Sequence, residues 1–99
     1  MEKNLFKKRD ENGKWGFVDE DGNWVIEPKF VEAFDFHEGF SMVKIDGKWG
    51  YIKTDGTYLV EPKFDYAQDF KNGTAYVELE GEEGTIDTDG KYIPLSINP

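Results

Sequence analysis

The chain has 99 residues, a formal net charge of -9, 16% aromatic residues and no cysteine. That is one domain's worth of chain, with a core expected to rest on a few large rings. The charge opposes binding to nucleic acid or anionic membrane. The missing cysteine excludes disulfides and thiolate chemistry, and no apolar run reaches the roughly 18–20 residues of a spanning helix.

The N-terminus, MEKNLFKKRDENG, has neither the apolar segment nor the small-residue cleavage site of a secretory signal, so a cytoplasmic location is expected. From residue 12 the chain repeats itself. Residues 12–45 overlay on residues 46–79 at a shift of 34 without a gap, with 15 identities. GKWGFV at 13–18 becomes GKWGYI at 47–52. At the same shift Phe6 falls opposite Phe40, as if residues 1–11 were the end of a further unit. A decayed third copy, EGEEGTIDTDGKYI, occupies 80–93, with Glu83 in place of the tryptophan. Self-similarity at a fixed period marks a repeat architecture, in which each unit covers its neighbour. The expected organisation is a single domain over 1–99. It has a partial unit at 1–11, full repeats at 12–45 and 46–79, and a degenerate unit at 80–99.

The second copy shows the local structure best. FSMVKI (40–45) alternates and predicts a strand, Asp46-Gly47 a tight hairpin turn, and KWGYIK (48–53) a second strand. Thr54-Asp55-Gly56 is a second turn and TYLV (57–60) a third strand, which together make an antiparallel meander. Pro62 offers no N–H and is expected to end the ladder. Residues 63–73 then form a link, a short helical turn or compact loop that pins Phe64, Ala67 and Phe70 under the sheet. Gly73 is expected to close it with positive φ. Residues 30–39 do the same in the first copy, with Phe30, Ala33, Phe36 and Gly39. Alternation puts Trp49 and Tyr51 on one face and Gly50 and Ile52 on the other. A glycine beside a tryptophan marks a close approach, and a neighbouring ring is expected over Gly50 and Gly16.

The pattern Gly-Lys-Trp-Gly-Tyr-Ile, Asp-Gly, a short apolar strand, Glu-Pro-Lys-Phe and Ala-x-x-Phe-x-x-Gly resembles the bacterial WG repeat, also called the KWG repeat, over about residues 12–93. The resemblance implies an all-β fold of antiparallel hairpin or meander repeats stacked in a small array. It also implies a ligand- or protein-binding module, and it brings no catalytic residues with it.

Residue by residue, chemistry is scarce. His37 is the single histidine and its counterpart is Lys71, which reads as solvated surface. With one histidine and no cysteine, a zinc site of the usual kind is nearly excluded. Asp19-Glu20-Asp21-Gly22 and Asp87-Thr88-Asp89-Gly90 resemble part of a calcium loop but read as hairpin turns. Glu27 and Glu61 match because the repeat makes them match, and they read as strand-end residues rather than a glycosidase pair. Ser41 and Ser96 belong to no nucleophile motif. No enzyme, cofactor or metal is therefore expected. The candidate binding residues are aromatic (Trp15, Phe17, Trp24, Trp49, Tyr51 and Tyr58), with Lys14 and Lys48 beside them to meet an anion.

The expected function is a non-enzymatic module that binds a protein partner through an aromatic face or a sheet edge. The alternatives are sequestration of a small anionic ligand such as a nucleotide, one per repeat, and an acidic inhibitor that mimics DNA. A homo-oligomer is a further expectation: a strand near Ile93 could pair with the strand around Phe6, within one chain or between two. A chain that stops inside a repeat is also compatible with a designed or truncated fragment.

Overall fold

The computed structural model describes residues 4–95, so Ser96 lies outside the described residues. Among the described residues there are eleven strands and no helix. The first sheet holds β1 (Phe6–Arg9), β2 (Trp15–Val18) and β3 (Trp24–Phe30). The second holds β4 (Glu32–Ala33), β5 (Phe40–Ile45), β6 (Lys48–Lys53) and β7 (Tyr58–Phe64). The third holds β8 (Tyr66–Ala67), β9 (Thr74–Leu79), β10 (Glu82–Asp87) and β11 (Tyr92–Pro94). Every pairing is antiparallel between neighbours in sequence.

Each sheet straddles a repeat boundary. Residues 12–45 give β2 and β3 to the first sheet and β4 and β5 to the second. Sequence repeats therefore lock together by main-chain hydrogen bonds, and not only by stacking. The middle sheet is buried on both faces. Val43 and Ile52 join Phe17, Ile26, Phe30 and Ala33 in one core cluster. Met42, Tyr51 and Val60 join Phe64, Ala67, Phe70, Ala75, Val77 and Ile86 in the other. Tyr51 and Ile52 thus serve different cores, as strand alternation requires. The Asp46-Gly47 turn is the predicted two-residue hairpin, with φ of 52° and 80° at its two positions.

Four expectations need correction or narrowing. First, β7 does not stop at Pro62 but runs on to Phe64. The strand shifts register between the Trp49–Phe64 and Tyr51–Val60 pairs, and this bulge carries the proline past the ladder. Second, the bulge explains the glycine. What lies against Gly50 is backbone and not a ring: a Cβ there would stand 2.6 Å from both Pro62 N and Val60 O. Gly16 meets the backbone of Ile26, Glu27 and Pro28 in the same way. A ring covers only the third of these glycines, Gly84, which faces Tyr92. The Trp-Gly and Glu-Pro-Lys-Phe motifs are therefore two halves of one contact.

Third, of the two forms expected for the link after Phe64, it takes the compact loop and not the helical turn. It forms β8 and an isolated bridge between Lys71 and Thr74, and Gly73 closes it at φ 84° as expected. Phe64, Ala67 and Phe70 are buried as expected. Fourth, the start of the chain is offset by one residue. Phe6 pairs with Val18 and Lys8 with Gly16, whereas Ser41 pairs with Ile52 and Val43 with Gly50. Leu5, not Phe6, therefore takes the place of Phe40. The cause is the turn before Trp15, where Asp10 Oδ1 accepts the Asn12 and Lys14 amides and spans more residues than Asp46-Gly47 does. β1 and β11 lie in different sheets, so among the described residues the end strands do not pair to close the chain.

Carboxylates fasten the turns. Asp19 Oδ1 accepts the Asp21 and Asn23 amides and Asp87 Oδ1 those of Asp89 and Lys91, each at 2.9 Å, so both Asp-x-Asp-Gly stretches are hairpin turns. Asp65 receives Lys48 Nζ and the Glu80 amide, joining the second sheet to the third. The Lys48 hydrogen bond holds the Asp65 carboxyl below the usual range, Thr57 does so for Asp55, and the Lys91 and Asp89 amides do so for Asp87. A depressed folded pKa contributes stability that is complete above the unfolded value of about 3.9 and lost as pH falls through the folded value. Asp65→Asn should thus lower the melting temperature at pH 7. The gap to the unsubstituted chain should narrow as pH drops below about 4. A gap that stays constant from pH 7 to pH 2.5 would refute this role for Asp65.

Candidate functional site

The aromatic residues expected to bind divide into three groups. Phe17 and Tyr51 are 0% exposed and fill the two cores, so they offer no surface to a partner. Trp24 pairs with Val18, which puts it on the opposite face of the first sheet from Trp15 and Phe17, and Lys8 Nζ lies 5.7 Å above its ring. Tyr58 packs against the first core under Lys29. The two repeat-leading tryptophans, Trp15 and Trp49, remain as half-buried rings.

A residue that was not expected joins them. Phe34, in the link between β4 and β5, is 38% exposed and meets the Trp49 ring edge-on at 5.6 Å. Lys7 Nζ sits over both Trp15, at 5.2 Å, and Phe34, at 5.8 Å. Arg9 covers Trp15 at 5.5 Å and Lys44 covers Trp49 at 5.4 Å. The result is a strip of three rings crossing the first sheet junction, overlaid by three cations on a chain of net charge -9. Glu32 pairs with Lys44 at its margin. The strip ends at the third sheet. There the counterparts of Phe34, Lys44 and Trp49 are Gln68, Glu78 and Glu83. That departure from the repeat is the sequence signal that could have exposed Phe34: a linker phenylalanine whose copy is a glutamine has no repeat-wide packing role.

Rings of this kind bury apolar side chains of a partner, and ammonium and guanidinium groups over them attract carboxylates. Lys14 and Lys48 stand apart from this strip and in unlike settings. Lys48 is bound to Asp65, whereas the counterpart of Asp65 beside Lys14 is the exposed Val31. A shallow cleft of about 740 Å³ lies elsewhere, lined by Leu5, Phe6, Asp35, Phe36, Glu38 and Thr54 among others, and contains none of the expected residues.

Sheet edges are the other expected docking element. β3 and β7 carry Pro28 and Pro62 in their bulges, β4 and β8 are two residues long, and β11 ends in Pro94. Such features blunt an edge. β1 is the edge strand without them. His37 lies 3.5 Å from Asp69 of the next link, and Glu38 accepts the Asn72 and Gly73 amides at 2.7 and 2.9 Å. Both residues tie repeat to repeat.

Three small antiparallel sheets built from recurring strands, with the same bulge in the first two, define a β-repeat protein. The family model for the WG-containing repeat matches residues 15–49 and 49–82, and the chain belongs to that family. The matched units begin at the tryptophans, three residues after the repeat boundaries taken from self-similarity. Comparison with curated proteins and with solved structures gives no significant match.

Proposed function

We propose that this chain is a non-enzymatic module that docks a protein partner on the Trp15–Phe34–Trp49 strip. The carrying observation is the strip itself: three partly exposed rings, each with a cation over it, drawn from both repeats. Aromatic and arginine side chains dominate binding energy where partners meet. The chemistry selects a partner segment that alternates apolar and acidic side chains. Aspartate or glutamate would displace water around Lys7, Arg9 and Lys44 while an apolar neighbour covers the rings.

The test pairs Trp49→Ala with Phe34→Ala: Phe34 is exposed, while Trp49 is half-buried and packs by one side against the second core, so Phe34→Ala alone is measured as well. The doubly substituted chain should keep a cooperative unfolding transition and lose affinity for its partner by at least about tenfold, roughly 1.4 kcal/mol. Trp24→Ala, on the other face, is the control and should leave binding intact. Unchanged affinity in the Phe34/Trp49 variant would remove the strip from the function.

A further inference from the structure

The internal junctions show what each side of a sheet is built to meet. The side turned toward the preceding sheet carries Ser41, Val43 and Ile52 in the second sheet and Ala75, Val77 and Ile86 in the third, all essentially inaccessible. Strand register places Phe6, Lys8, Val18 and Trp24 on that same side of the first sheet. No sheet precedes it among the described residues, and Phe6 is 50% exposed. The side turned toward the following sheet carries Phe17 and Ile26 in the first sheet and Met42, Tyr51 and Val60 in the second. In the third, register puts Tyr76, Glu78, Glu83, Thr85 and Ile93 there.

The two ends of the stack are therefore unlike and complementary. One offers Phe6 and Trp24 with Lys8 over the indole ring. The other offers Tyr76, Tyr66, which pairs with Glu78, and an exposed Ile93 around two carboxylates, with the Tyr76 hydroxyl donating to Glu78 at 2.8 Å. We infer that the first-sheet end of one chain docks on the third-sheet end of a second copy, head to tail, with Lys8 facing the carboxylates of Glu78 and Glu83. A face-to-face dimer is disfavoured either way: it would set lysine against lysine or four glutamates against one another. The two docking faces are the opposite outer sides of the first and third sheets, so a head-to-tail contact adds chain after chain along the stack into open chains of molecules. The patch is a few short strands wide and its charge pairing is solvent-facing, so association is weak and salt-sensitive.

Sedimentation velocity of the purified chain over a concentration series tests this at low and high salt. The weight-average mass should rise continuously with concentration and fall back to the monomer at high salt. Lys8→Glu should be monomeric alone, as should Glu78→Lys/Glu83→Lys. An equimolar mixture of the two should associate again, which also proves both variants folded. A chain that stays monomeric at millimolar concentration, a closed dimer of fixed mass, or association indifferent to the charge reversals would each overturn the inference.

Discussion

Gly50→Ala is expected to cost about 3–5 kcal/mol, enough to unfold much of a chain whose whole stability is on the order of 5–10 kcal/mol. The new Cβ would stand 2.6 Å from Pro62 N and Val60 O and 2.9 Å from the Glu61 carbonyl carbon. All three are main-chain atoms of the β7 bulge. Moving them away would break the register that sets Trp49 against Phe64 and Tyr51 against Val60, and would open the second core. Gly16→Ala should behave alike against the β3 bulge. Gly84→Ala is the informative contrast. There the obstruction is the ring of Tyr92, a half-buried side chain on a three-residue strand, and a ring can swing aside. Its cost should be about 1–2 kcal/mol. Denaturant unfolding of the three variants separates the cases, and equal losses at Gly50 and Gly84 would refute the account.

This contact also shows how far the sequence could be read. The hairpins were legible because Asp46-Gly47 and its relatives permit few backbone paths, and the two-core alternation followed from the period of the strand. The bulge was not. Pro62 argued for a strand end, and nothing local reveals that Gly50, twelve residues away, leaves room for the proline to pass. Strand pairing is a non-local fact, and it reversed the local one. The same holds for the start of the chain, where one extra residue in the Asp10 turn moved Phe6 to the outer face. The aromatic strip was half legible. Trp15 and Trp49 stood out by recurrence, while Phe34, Lys7 and Arg9 do not recur as a set. Phe17 and Tyr51 recur equally well, but recurrence marks packing as readily as binding.

Recurrence with exchange is more informative, and the links show it. In the first repeat the Phe34 carbonyl accepts Ser41 Oγ at 2.6 Å, and the nearby core ring is Phe17, which has no hydroxyl. In the second, the Gln68 carbonyl accepts the Tyr51 hydroxyl at 2.5 Å, and the position of Ser41 is held by Ala75. The main chain is the same in both: the Phe34 amide donates to Met42 O and the Gln68 amide to Tyr76 O, each at 3.0 Å. One acceptor is thus served by either of two donors, and each repeat keeps one. Burial pushes the Tyr51 hydroxyl well above its ordinary pKa, so it stays a donor across the working pH range. Tyr51→Phe should leave the Gln68 carbonyl short of its partner and cost about 1–3 kcal/mol. Ala75→Ser alone should be nearly neutral, since Tyr51 already serves the carbonyl. Combined, the serine should recover half or more of the loss, a coupling of about 1 kcal/mol in the double-mutant cycle. Strict additivity would show that the two donors do not share an acceptor, and a loss below about 0.5 kcal/mol for Tyr51→Phe would show that water serves the carbonyl instead.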